Sequence, residues 1–147
     1  MSLLLVGQAP SSDTNGRAPF SGRSGRRLAE LMGMTHEEFL DRVPATNVLP
    51  CYPGKSRGAK GDAFPMNQAV ASARTMEFGD AKLVVLVGKN VARAFGRKDH
   101  DYFEEFELRG RRAVIIPHPS GVNRWWNEPV NVETARLFMT EVTECVA

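Results

Sequence analysis

The chain has 147 residues, a hydrophobic share of 42% and a formal net charge of +2. That size suits one domain with one core, and no apolar run approaches the roughly 20 residues needed to cross a bilayer. A charge so close to zero identifies no partner, and two cysteines without metal-ligand spacing, Cys51 and Cys145, argue for reduced thiols in the cytoplasm and against a disulfide scaffold.

The start, Met1 to Gly7, has neither a positive n-region nor a cleavage site, so Leu3 to Val6 is expected as a buried strand and not as a signal peptide. Ser24 to Met32 carries Leu28, Leu31 and Met32 at helical spacing. Thr35-His36-Glu37-Glu38 is a capping-box pattern opening a helix that runs to Val43. Ala45 to Leu49 is a second strand, and the Gly- and Lys-rich stretch from Pro50 to Pro65 is a loop long enough to suggest a function. A helix over Met66 to Phe78, a strand over Leu83 to Val87 and a short helix over Asn90 to Phe95 follow. Tyr102 to Leu108 alternates enough to be a short extra strand or a loop edge. Ala113 to Ile116 is the last continuous apolar strand, and Asn131 to Val146 closes the chain as an amphipathic helix. Continuous apolar strands alternating with helices specify an α/β sandwich with a parallel sheet covered on both faces.

Two strands run out into loops fixed by Gly and Pro: Gly7-Gln8-Ala9-Pro10 after the first, and Pro117-His118-Pro119-Ser120-Gly121 after the last. Ligands of open parallel sheets sit at the carboxyl ends of the strands, so these loops would bring Gln8 and His118 to one crevice. The first loop has neither the dinucleotide fingerprint nor the P-loop spacing. Within it, Phe20 is either a stacking platform for a planar base or a plug under the loop. Asn47, at the end of a strand, either presents its amide to the edge of a pyrimidine or satisfies loop backbone. Trp125 and Trp126 either close over the core or touch a nucleic acid. Basic residues crowd the same loops: Arg17, Arg23, Arg26 and Arg27; Lys55, Arg57 and Lys60; Arg109, Arg111 and Arg112; and Arg124. Such crowding suits a polyanion such as a nucleic acid, or it is a solvated Arg-rich surface.

Five segments occur in one order along nearly the whole chain: Gly7-Gln8-Ala9-Pro10, Pro19-Phe20-Ser21-Gly22-Arg23-Ser24-Gly25, Thr46-Asn47-Val48, Val84-Val85-Leu86-Val87-Gly88-Lys89 and His118-Pro119-Ser120. The ordered set resembles the uracil-DNA glycosylase superfamily, most closely its thermostable bacterial and archaeal type. The resemblance implies a three-layer α/β/α sandwich around a mainly parallel four-stranded sheet, and a base flipped into a pocket at the strand ends. It further implies that Phe20 stacks on uracil, Asn47 reads its edge, and His118 hydrogen-bonds the uracil carbonyl and stabilises the departing anion. Gln8 stands where the thermostable type has a carboxylate and would help place a water. Ala9 stands where the best-known branch carries its catalytic Asp, and counts here among the residues lining the base.

Gln8 cannot act as a base. Asp13 is the nearest carboxylate in the loop, and it either activates water or shapes a turn. The residues after Ser120 would press into DNA, with Val122, Asn123 or Arg124 as the wedge, and Arg57 adds a basic contact. The thermostable type holds an iron–sulfur cluster on four cysteines; Cys51 matches one ligand position and the rest are absent, so no cluster and no other cofactor is expected. Three readings follow: a monomeric glycosylase acting on uracil or a related deaminated base in DNA; a nucleobase- or DNA-binding module without hydrolysis; and, last, a small hydrolase using Ser120 or Ser11, for which no nucleophile elbow is present.

Overall fold

A computed structural model describes residues 2–58 and 61–144. Lys60, Cys145 and Val146, singled out above, lie outside the described residues. Five strands form one sheet: β1 (Leu3–Gly7), β2 (Ala45–Asn47), β3 (Leu83–Val87), β4 (Phe106–Leu108) and β5 (Arg111–Ile116). Their order is β2-β1-β3-β5-β4. All pairings are parallel except β4 with β5. Among the described residues, α1 (Arg23–Leu31) and α2 (His36–Arg42) lie between β1 and β2, α3 (Met66–Thr75) between β2 and β3, α4 (Lys89–Ala94) between β3 and β4, and α5 (Pro129–Thr143) follows β5.

The strand residues divide by parity, as the two-residue period of a strand requires. Leu3, Leu5, Val85, Val87, Val114 and Ile116 join a core with residues of α1, α2 and α5, including Leu28, Phe39 and Met139. Val6, Val84, Leu86, Ala113 and Ile115 join a second core with Ala69 and Ala73 of α3 and Val91 and Ala92 of α4. The architecture is therefore a three-layer α/β/α sandwich. No described helix is long and apolar enough to cross a membrane.

The sheet has five strands and not four. The added strand is β4, within the segment that sequence left between strand and loop edge. Arg109 and Gly110, with φ of 52° and 77°, join it to β5, and Leu108 pairs with Arg111 across them. Positive φ at both residues is the two-residue hairpin turn whose twist suits a β-ribbon. That turn usually announces itself as Asn-Gly or Asp-Gly, and Arg109-Gly110 does not. Boundaries shift elsewhere by small amounts. β2 ends at Asn47, but the Val48 and Leu49 N–H groups still donate to the carbonyls of Gly7 and Gln8, both at 3.0 Å. α3 stops at Thr75, and α5 starts at Pro129, a residue suited to a first helical turn because it lacks an N–H.

The capping box is present at α2. The Thr35 hydroxyl accepts from the Glu38 N–H at 3.1 Å, and the Glu38 carboxylate accepts from the Thr35 N–H at 3.2 Å. Thr35→Ala should cost about 1 kcal/mol of stability, the usual worth of an N-cap. Urea unfolding of the two proteins checks it.

Candidate active site

The carboxyl ends of β2, β1, β3 and β5 lie side by side, and each delivers one element of the site. In order across the edge these are Asn47, Gly7-Gln8, Gly88 with Asn90, and His118. Three strand spacings of about 4.8 Å make the row roughly 14 Å wide at the backbone.

Gly7 is the point where the β1 and β2 ends meet the first loop. A Cβ on Gly7 would stand 2.5 Å from Asn47 Oδ1 and 2.7 Å from Phe20 Cζ. Only hydrogen fits there, so the amide and the aromatic ring converge over one backbone position. Phe20 itself is in the left-handed region, with φ 62°, a conformation that a bulky residue keeps only when its surroundings enforce it. Three contacts do so. His36 Nε2 donates to the Phe20 carbonyl at 2.8 Å. Gly25 presses its bare Cα on the same carbonyl, where a Cβ would fall 1.7 Å from the oxygen. The Phe20 ring packs edge-on to Phe39, with centroids 6.3 Å apart. The ring is half-buried, so it is anchored in the core while keeping part of its surface open.

Asn47 makes no side-chain hydrogen bond among the described residues. The Gln8 amide oxygen accepts from Asn90 Nδ2 at 3.4 Å, a long contact that still orients it. Ala9 packs against the core under α3 and α4.

His118 is held through its backbone. Its carbonyl accepts from Asn123 Nδ2 and from the Trp126 indole N–H, both at 2.9 Å. Gly88, with φ 99°, lies against the ring side, where a Cβ would come 3.2 Å from His118 Cβ. The imidazole makes no hydrogen bond among the described residues. Burial pushes its pKa below the ordinary histidine value, and the Asp62 carboxylate partly opposes that shift. The ring is therefore neutral at neutral pH, with one N–H to donate.

Asp62 was not singled out in sequence. It lies in the long loop, where Lys55 and Asp62 form an antiparallel bridge. The Tyr52 hydroxyl donates to Asp62 Oδ1 at 3.1 Å, and the Tyr52 N–H donates to Asn15 Oδ1 of the first loop at 3.0 Å. Loop length was the only signal for it. Asn90 and His36, also missed, act through contacts 82 and 16 residues away in sequence.

The remaining sequence candidates fall in different places. Asp13 is exposed in a 3-10 turn over Ser12–Thr14, whose side-chain hydrogen bond joins Ser11 and Thr14. Ser120 is half-buried beside His118, and Arg57 and Arg124 are exposed. Val122 stands 89% exposed at the loop tip. Asn123 does not: its amide nitrogen holds the His118 carbonyl, and its oxygen accepts from the Trp125 N–H at 3.2 Å. Trp126 is buried, and Trp125 packs on Tyr102, Phe103 and Trp126, so the tandem tryptophans close over the core. Cys51 is exposed with a free thiol, and a chain with two cysteines cannot supply four thiolates to an iron–sulfur cluster.

A family model described as the uracil DNA glycosylase superfamily matches residues 1–142. The chain is also similar to the DNA-directed RNA polymerase subunit beta of Staphylococcus aureus strains MRSA252 and Newman, 33% identical in each over 94 residues. That match covers 60% of this chain, which spans 8% of the length of the relatives it matches.

The state of His118 has a consequence for stability. Unfolded, the imidazole takes up its proton near its ordinary value of 6.5; folded, it does so only at lower pH. Between the two values the unfolded chain holds the extra proton, so stability present above about 6.5 is lost as pH falls below it. His118→Gln should therefore lose less stability between about pH 7 and pH 5 than the wild type. Urea midpoints at the two pH values decide this, and an equal loss in both proteins contradicts the assignment.

Proposed function

Because the chain belongs to the uracil DNA glycosylase superfamily, we propose that it hydrolyses the N-glycosidic bond of uracil, or of a related deaminated base, flipped out of DNA. Membership supports a glycosylase-type activity in general. The observation that carries the finer reading is the pair of uncommitted hydrogen-bonding groups, the Asn47 amide and the His118 imidazole. They lie to either side of Gly7-Gln8, with Phe20 anchored over the same glycine. Convergent polar groups beside an aromatic ring suit a planar heterocycle.

In this reading Phe20 stacks on the base and the Asn47 amide meets its Watson–Crick edge, donating to a carbonyl and accepting from a ring N–H. The C1′–N bond breaks with its electron pair leaving on the base. The His118 N–H donates to the base carbonyl oxygen where that negative charge develops, and preorganised donors of this kind act most strongly in the transition state. Gln8, oriented by Asn90, holds a water against the sugar. The water oxygen bonds to C1′, and its proton passes to a carboxylate and then to solvent or the departing base anion. Asp62 suits that task better than Asp13, since it acts electrostatically on His118. Ser120, Arg57 and Arg124 would contact backbone phosphates, and Val122 is the apolar side chain free to wedge into the stack. The protein would work as a cytoplasmic monomer and a monofunctional enzyme.

A second reading, a base-recognising module without hydrolysis, is favoured by Gln8-Ala9, which leaves the first loop without a carboxylate at either position. Its signature is base-dependent affinity with no product. Incubation with uracil-containing single- and double-stranded oligonucleotides, followed by alkaline cleavage of abasic sites, separates the two. Strand scission is expected for the wild type, with a loss of about 100-fold or more in His118→Ala. Absence of scission on every deaminated base tried would sink the enzyme reading. In the same assay Asp62→Asn should fall by roughly tenfold or more, and Asp13→Ala should stay near wild type; the reverse ranking returns the water to Asp13.

A further inference from the structure

Outside the crevice, α1 and α5 enclose a cleft of about 390 Å³, room for about a dozen waters at ~30 Å³ each. Arg23, Arg26, Arg27 and Glu30 line it from α1, and Arg136 from α5. The α1 residues recur at the helical spacing of one face. Four guanidinium groups thus meet one carboxylate. Among the described residues none of the four is in an ion pair, and Glu30 has no partner either. Like charges gathered in a concavity focus a positive potential. Guanidinium forks match phosphate oxygens two at a time, and Arg holds its charge at any physiological pH.

The cleft is mechanically joined to the base site. Gly25, between Arg23 and Arg26, is the residue pressed on the Phe20 carbonyl. The Arg27 guanidinium lies 4.4 Å from the centroid of the Trp126 ring, and the Trp126 indole N–H holds the His118 carbonyl. The cleft and the base site therefore share α1 and the Trp126 brace.

We propose that the α1–α5 cleft is a phosphate track that binds the sugar–phosphate backbone of a nucleic acid strand flanking the base site. The placement rests on the base-pocket reading, but the binding it describes does not require hydrolysis. Arg26 and Arg136 are exposed, so a double variant Arg26→Gln with Arg136→Gln should fold as the wild type does. Arg74→Gln with Lys82→Gln removes the same charge from exposed positions outside the cleft and serves as the comparison.

The test titrates each protein with a labelled oligonucleotide lacking uracil, single-stranded and as a duplex, between about 50 and 200 mM salt. Loss of two phosphate contacts should reduce the magnitude of the log Kd against log salt slope by about 1.4 to 1.8, and weaken binding at the low-salt end about tenfold or more. The comparison variant should keep the wild-type slope to within about half a unit. An unchanged slope in the cleft variant overturns the proposal, as does an equal change in the comparison variant, which would reduce the effect to bulk charge. Altered binding of inorganic phosphate with unaltered oligonucleotide binding also overturns it, leaving a small-anion site. Uracil excision read on the same samples keeps the two readings apart: a changed slope with no excision by any protein upholds the track and sinks the glycosylase, and excision with an unchanged slope does the reverse.

Discussion

The central strands are dry on both faces, and the rest of the molecule follows from that. Leu3 to Val6, Leu83 to Val87 and Ala113 to Ile116 alternate between two apolar cores, so no polar side chain can stand along them without leaving a hydrogen-bonding group unmet. Polar chemistry is confined to where strands stop. Because these strands are parallel, they stop at the same edge, and residues separated by more than a hundred positions, Gln8 and His118 among them, are placed in one row. The edge is also where small residues are needed. Gly7 and Gly88 are the first positions outside or at the end of their strands, and each lies against a candidate site side chain that a Cβ would crowd.

What was legible in the sequence was what local pattern controls. Apolar runs marked four strands, and the capping box at Thr35 was visible three residues at a time. The layer architecture followed from alternation of strands and helices. The fifth strand was half visible, because Phe106 and Leu108 alternate properly while the Arg109-Gly110 turn carries no recognisable signal. At the candidate site, Gln8, Phe20, Asn47 and His118 could be named as candidates from their positions at strand ends and in Gly/Pro-fixed loops. The residues that hold them could not. His36 and Asn90 reach Phe20 and Gln8 only after the chain has folded, and nothing about a helix-opening His or a helical Asn encodes that contact in advance.

The loop after His118 shows the same limit in another form. Read as a string, Val122-Asn123-Arg124-Trp125-Trp126 offers five side chains for contact with a partner. In three dimensions two of them, Asn123 and Trp126, face inward and fix the His118 carbonyl from the rear. Trp126 then lies under Arg27. The loop is consequently a brace between the last strand and α1 as well as a surface element, and only Val122 and Arg124 extend fully outward. A histidine held by its peptide rather than by its ring keeps both ring nitrogens for other use, which is the arrangement a donor to a transient anion requires.

The amide at Gln8 is consistent with this electrostatics. In the proposed reaction a carboxylate at that position would stand near the base as it departs as an anion, and two unit charges at about 4 Å repel by about 4 kcal/mol even at an effective dielectric near 20. It would also favour the charged form of a nearby imidazole. With Gln8, Asn47 and a neutral His118, the crevice opposes neither the base anion nor the neutral ring. In the proposed reaction the cationic character of the sugar would be met by the Asp62 carboxylate, which acts electrostatically on His118, and by the phosphates of the bound strand. With no carboxylate at position 8 or 9, the proposed reaction would depend strongly on how the strand is held. That shifts the demands of catalysis onto the binding surface, where the uncompensated arginines are concentrated.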